Sequence, residues 1–228
     1  MSLLHWNGRP LQAVLVDLDG TMVDTLGDFE AALDLAFADL GVAKVSRDFI
    51  ERTIGQGSEN LIRRTLAQAG ASADLFDAAL AAYQRHYLAI NGRHAEVYPD
   101  VAEGLQALHQ HGLPMACLTN KPGLFAEGLL QAKALRGHFR FVYGGDAFEH
   151  KKPHPMPLLR ACDTLGTEPG ATLMVGDSRN DVQAARAAGC PVVLVPYGYN
   201  HGEPATTAGA DAVIGSLATL PQLLSSGR

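Results

Sequence analysis

An α/β fold, with a mainly parallel, doubly wound sheet and an inserted helical unit, is predicted by three observations. Short apolar, β-branched runs recur along the 228-residue chain, amphipathic stretches separate most of them, and one long interval holds amphipathic stretches alone. Strands alternating with helices imply parallel crossovers, and strands apolar on both faces imply a sheet covered by helices on each side.

The first run, Ala13-Val14-Leu15-Val16-Asp17, reads as a strand buried on both faces. Similar runs lie at 114–118, 139–143, 172–176, 191–195 and 212–214. Between them, Leu105 and Leu108 share one stripe of a helix over 101–111, and 124–134 and 157–165 behave alike. From about residue 22 to 96 no strand is expected. There Leu26, Phe29, Leu33, Phe37 and Leu40 recur at helical spacing until Gly41 closes the helix. Asp24-Thr25 supplies its expected N-cap. A second stripe through Leu61, Ile62 and Leu66 ends near Gly70. A third, through Leu75, Phe76, Ala79, Leu80 and Tyr83, runs from an N-cap at Ser72 to a stop at Asn91-Gly92. Helices inserted after the first strand predict a small separate domain over 22–95, set into a core of 1–21 and 96–228. Its hinges fall just after Gly20 and just before Tyr98-Pro99.

Bulk properties narrow the function. Hydrophobic residues make up 47% of the chain, enough for a full core. The net charge of −6 disfavours nucleic acid and anionic membrane as partners, since neither set of phosphates would be neutralised. No apolar run approaches the roughly 20 residues of a membrane span, and the opening segment lacks a signal peptide's basic-then-apolar layout. Cys117, Cys162 and Cys190 are scattered and read as small core residues of a reducing, cytoplasmic setting.

Polar residues gather where the predicted strands end, which is where open parallel sheets bind ligands. Asp17-Leu18-Asp19-Gly20-Thr21 follows the first strand, Thr119-Asn120-Lys121-Pro122 the second, and Gly176-Asp177-Ser178-Arg179-Asn180-Asp181 the fourth. Lys151-Lys152 precedes Pro153-His154-Pro155 between the third strand and its helix. Carboxylates at Asp17, Asp177 and Asp181 would repel one another without a cation between them, and an all-oxygen set suits Mg²⁺. Such an ion lets a carboxylate approach a phosphate dianion, so Asp17 reads as a nucleophile that becomes an aspartyl-phosphate. Asp19, two residues on, is placed to protonate the leaving alkoxide and then deprotonate water. Gly20 lets the chain turn away closely. Thr21, Thr119 and the backbone N–H of Asn120 would hold phosphoryl oxygens, with Lys152 adding a fixed positive charge.

The four motifs, Asp17-x-Asp19-Gly20-Thr21, Thr119-Asn120, Lys152-Pro153-x-Pro155 and Gly176-Asp177-Ser178-x-x-Asp181, together resemble the haloacid dehalogenase superfamily. The resemblance spans the core and implies a Rossmann-like catalytic domain with a helical cap that sets specificity. It also implies Asp17 as nucleophile and metal ligand, Asp19 as acid/base and ligand through its carbonyl, Asp177 as a Mg²⁺ ligand, and Asp181 in the first or second shell. The segments around Thr119, Lys152 and Asp177, with Tyr197-Gly198-Tyr199-Asn200, look like the bacterial phosphoglycolate phosphatases, which implies 2-phosphoglycolate as substrate. The cap, which chooses the substrate, is less covered by the likeness. Gly55-Gln56-Gly57 falls where the family carries a specificity loop, a plain helix connector being the other reading. Arg63, Arg64 and Arg93 are candidate carboxylate partners or solvated charges, Lys151 and Arg179 read as solvated, and His150 and His154 carry no assigned role. A phosphosugar mutase, a phosphatase for another small phosphometabolite, and a phosphoacceptor signalling module remain as alternatives. The expected partner is a small phosphorylated metabolite, and the expected state a monomer or homodimer.

Overall fold

The computed structural model describes residues 4–225; residues 1–3 and 226–228 of the expected core lie outside the described residues. A two-strand hairpin, β1 (His5–Trp6) and β2 (Arg9–Pro10), opens the chain and turns through Asn7 and Gly8, both at positive φ. The strand β3 (Ala13–Val16) follows, then β4 (Val23–Asp24) and the helices α1 (Leu26–Asp39), α2 (Arg47–Glu51), α3 (Ser58–Gln68) and α4 (Phe76–Ile90). From β5 (Glu96–Val97) onward strands and helices alternate: α5 (Val101–Gln110), β6 (Met115–Leu118), α6 (Gly123–Ala132), β7 (Val142–Tyr143), α7 (Met156–Leu165) and β8 (Thr172–Gly176). The chain closes with α8 (Arg179–Ala188), β9 (Val192–Leu194), β10 (Ala212–Val213) and α9 (Leu220–Ser225).

Six strands form one parallel sheet in the order β10-β9-β8-β3-β6-β7. The first of them in sequence, β3, is therefore central, and the chain winds outward from it first one way and then the other. Its two neighbours pair at Val16 with Cys117 and with Val175. The crevice at the carboxyl end of β3 is thus the switch point at which such sheets take ligands. Alternation along β3 explains the double winding. Val14 and Val16 pack with Leu105, Leu108, Leu129 and Leu217 on one face, whereas Leu15 packs with Leu158, Ala161 and Val182 on the other. All three β3 side chains are fully buried. All three cysteines are buried and free.

Helices α1 to α4 gather around a separate apolar cluster built on Phe37, Ile50, Leu61, Ile62, Tyr83 and Tyr87, which Phe125 and Tyr199 join from the sheet side. Several local features differ from expectation, the opening hairpin and α9 among them. The interval read as strand-free begins and ends in a ribbon, β4 against β5, with Val23 opposite Val97 and Asp24 opposite Glu96. Two-residue strands carry no period to read, so only the pairing reveals them. The short helix α2 was likewise not expected; Ser46 caps it by accepting from the Phe49 N–H. The strand expected over 139–143 contracts to Val142–Tyr143, although the Arg140 N–H and the Phe141 carbonyl still bond to Met115 and Cys117 of β6.

Candidate active site

Asp17 is the first residue past β3, and its position is fixed by a 2.7 Å hydrogen bond from the Leu18 N–H to its own Oδ1. Lys152 Nζ lies 3.1 Å from the same oxygen, which leaves Oδ2 free of protein donors among the described residues. Asp177, directly after β8, accepts from the Thr21 hydroxyl (3.2 Å) on one oxygen and from the Tyr199 N–H on the other. Ligand oxygens of Asp17, Asp177 and Asp181 all come within 4.8 Å of one another.

One lysine serves this triad. Lys152 donates to Asp181 Oδ1 (2.7 Å) and to the Leu118 carbonyl (2.8 Å) besides its contact with Asp17, so all three of its N–H directions are engaged. Burial opposes its charge, but the two carboxylates outweigh burial and hold the ammonium protonated. The carboxylates are undercompensated in turn. Burial, then the neighbouring Asp181, pushes Asp177 well above the ordinary carboxylate range. Burial likewise pushes Asp17 up to about 7, against the pull of Lys152. Three buried acids with one cation form a donor set short of positive charge, and hard oxygens at this spacing fit a hard divalent cation.

Asp181 is the most heavily hydrogen-bonded of the three acids. Its Oδ2 accepts from the Ser178 N–H (3.1 Å), the Ser178 hydroxyl (3.0 Å) and the Asp177 N–H (3.3 Å), while Oδ1 holds Lys152. It therefore caps the start of α8 and orients both Asp177 and Lys152. Thr21 is fully buried with its hydroxyl donating to Asp177, and it is not among the residues that line the cavity. Gly20 adopts φ +83, and a methyl group there would overlap the Asp177 carboxylate, so the turn admits only glycine.

The crevice continues into a narrow cavity lined by Asp17, Asp19, Thr119, Asn120 and Asp177 below. Gly55 and Gly57 also line it, but Gln56 faces a neighbouring open groove with Lys151 and Arg179. The loop is tied down by the core: the Gly55 carbonyl accepts from Asn120 Nδ2 (2.8 Å) and from Asn180 Nδ2 (3.2 Å). Asn120 Nδ2 also reaches the Lys152 carbonyl at 2.7 Å, so its side chain is a strut between loops. Of the candidate cap arginines, Arg63 stacks on Phe76 and Arg64 on Phe49, and none of Arg63, Arg64 and Arg93 lines the cavity.

Two groups at this site went unread in the sequence. Lys121, quoted there only as part of a motif, is buried with Nζ 2.9 Å from Asp19 Oδ1 and 2.6 Å from the Tyr87 hydroxyl of α4. Its one legible signal was its place two residues after Thr119 at a strand end. Tyr199 donates to Asp24 and accepts from the N–H groups of Thr25 (2.8 Å) and Leu26 (3.0 Å). Capping of α1 thus falls to Tyr199 and Asp24, and the Thr25 hydroxyl expected in that role is buried without a partner. A phenol some 175 positions away in the chain supplied what a local rule assigned to Thr25.

Comparison with known proteins agrees with this geometry. The family model of haloacid dehalogenase-like hydrolases matches residues 14–195. A phosphoglycolate phosphatase of Thiobacillus denitrificans is 45% identical over 212 residues, covering 92% of this chain and 93% of its own. Among solved structures, one described as a predicted phosphoglycolate phosphatase from Haemophilus somnus 129pt superposes with a TM-score of 0.88 at 30% identity, covering 93% and 97% of the two chains. CbbY from Rhodobacter sphaeroides, solved in complex with phosphate, gives a TM-score of 0.80 at 26% identity, covering 92% and 96%. With its parallel core, its acid-lined switch point and its overlying helices, this chain belongs to the haloacid dehalogenase-like hydrolases.

Proposed function

We propose that this enzyme hydrolyses a small phosphate monoester, 2-phosphoglycolate, with Mg²⁺ and through an aspartyl-phosphate on Asp17. The observation that carries the proposal is the undercompensated triad of Asp17, Asp177 and Asp181 around a single lysine, with Asp19 two residues beyond the nucleophile. The substrate follows from the relatives, which bear that name at up to 45% identity over nearly the whole chain.

The carboxylates of Asp17 and Asp177 and the carbonyl of Asp19 would hold the ion, with Asp181 orienting them from behind. Bound there, Mg²⁺ supplies positive charge that offsets repulsion between carboxylate and phosphate. A carboxylate oxygen of Asp17 forms the new bond to phosphorus as the ester P–O bond breaks. Asp19 passes a proton to the departing oxygen, and glycolate leaves. Asp19 then takes a proton from water, whose oxygen attacks phosphorus and releases phosphate with Asp17 restored. Lys152, held by Asp17, Asp181 and Leu118, keeps one oxygen of the nucleophile fixed throughout. Thr119 and the Asn120 backbone sit at the rim to receive phosphoryl oxygens. Residues 22–95 act as a cap over the core of 1–21 and 96–228, and their cover over the acids speaks against a signalling module that must dock a partner there.

Turnover of a generic aryl phosphate, followed with and without Mg²⁺, tests the reaction. Metal-independent turnover, or none with any phosphate ester, would overturn it. A panel of phosphorylated metabolites ranked by kcat/KM tests the substrate, and 2-phosphoglycolate should head the ranking.

A further inference from the structure

We propose that Lys121 is the specificity-determining residue of this site, and that it receives a carboxylate carried by the substrate close to the ester oxygen. The proposal rests on the phosphatase reading and deepens it. It begins with placement. Among the residues lining the cavity, Lys121 is the one lysine or arginine, and its side chain is only 2% exposed. Lys152 cannot take a further anion, because its three donors already serve Asp17, Asp181 and Leu118.

Lys121 has a donor to spare. Two of its three N–H directions meet Asp19 and the Tyr87 hydroxyl, and the third has no partner among the described residues. The ammonium sits over the rings of Phe29 and Tyr87, 4.5 and 4.6 Å from their centroids. The wall around it continues through Ile54, Leu61 and Phe125. Such a setting strips water from the charge, so a second anion meets a desolvated cation that it shares with Asp19. A neutral oxygen of an ester would use that donor more weakly than a carboxylate, whose bond to an ammonium is charge-assisted on both sides.

Position also limits the length of the ligand. Lys121 Nζ lies 2.9 Å from the Asp19 carboxylate, the group that serves the leaving oxygen in the proposed reaction. An anion that reaches Lys121 must therefore lie close to that oxygen, as a carboxyl carbon two bonds away does. Phosphate esters of short 2-hydroxy acids meet this condition, and a bisphosphate with its second group at the far end of a sugar does not.

The test compares phosphoglycolate with ethyl phosphate, which has the same chain length and no carboxylate, in wild type, Lys121→Met and Lys121→Arg. Removing a charge-assisted hydrogen bond should lower the ratio of the two kcat/KM values by about 10- to 100-fold in Lys121→Met. Lys121→Arg should retain much of the preference. Because Lys121 also touches Asp19, both esters slow in Lys121→Met, so the ratio is the readout. An unchanged ratio overturns the role of Lys121 while leaving the phosphatase reading standing. Binding of 3-phosphonopropionate against propylphosphonate, measured by calorimetry with Mg²⁺, decides the matter independently of turnover. Wild type should prefer the carboxylated analogue and Lys121→Met should lose that preference; equal preference in both overturns the proposal even if neither ester is hydrolysed. Should Lys121→Met fail to fold, Lys121→Gln takes its place in both measurements.

Discussion

Two buried lysines stand at the same end of the sheet, and their surroundings differ in kind. Lys152 is enclosed by the core alone, with two carboxylates and a carbonyl filling its three donor directions. Lys121 is shared between layers: its carboxylate comes from the loop after β3, while its hydroxyl and aromatic partners come from α1 and α4. A saturated charge is fixed and does not respond to ligand, whereas a charge with one donor open can recognise one. The contrast separates a chemical half of the site, common to any phosphate ester, from a selective half that exists only where the helical unit covers the core.

The largest effects should come from the two aspartates that face these lysines. Asp17→Asn should cut turnover by roughly 10⁴-fold or more with the fold retained, since shape is kept and the nucleophile lost. Asp19→Asn should slow both chemical steps by about 10²–10⁴-fold. Rates on an aryl phosphate, with melting curves as controls, check both, and a wild-type rate in either variant removes its assigned role.

Stability should separate the lysines next. Without Mg²⁺, Lys152→Met leaves two buried carboxylates unpaired and should cost about 3–5 kcal/mol, the scale of a broken buried ion pair. Lys121→Met leaves one carboxylate and should cost less. Denaturant titration measures both, and equal losses would erase the distinction between a saturated and an open lysine.

A smaller effect lies in pH. Burial raises the Asp17 carboxyl to about 7, and raises Asp177 too, so the folded protein keeps protons that the unfolded chain releases near pH 4. Asp17 should therefore cost the metal-free protein stability as pH rises from about 4 through about 7, with Asp177 adding a loss of the same sign. Mg²⁺ favours the ionised carboxylates, so the rise in Tm it produces should grow between about pH 5.5 and about pH 8. A rise independent of pH would detach the ion from this triad.

The smallest effect probes the loop between the halves. Gly57 holds φ +87, and a Cβ there would lie 2.8 Å from Lys151 Nζ and 3.4 Å from the Asn120 carbonyl. Gly57→Val should lower kcat/KM for phosphoglycolate by about tenfold, the equivalent of 1.4 kcal/mol, and that for an aryl phosphate by less. Equal losses would reduce the loop to a connector between helices.

Much of the chemical half was legible in the sequence because it is local. Asp17 and Asp177 follow their strands directly, and a strand that ends in a loop delivers its next side chain to the sheet's rim. The alternation of Val14, Leu15 and Val16 likewise dictated a sheet buried on both faces. The selective half was illegible because it is made of distant pairs. Lys121 meets Asp19 across 102 positions and Tyr87 across 34, and Tyr199 reaches back to Asp24 of β4. The burial of Asp181 behind four donors is of the same kind.

Hydrophobic period and strand ends are properties of neighbouring residues, so the sheet, its helical insert and the acids at its rim are written in local sequence. Which lysine is saturated and which keeps a donor open follows from packing between distant segments. Charge pairing depends on distance and on water excluded, and both are set by how the helices close over the sheet.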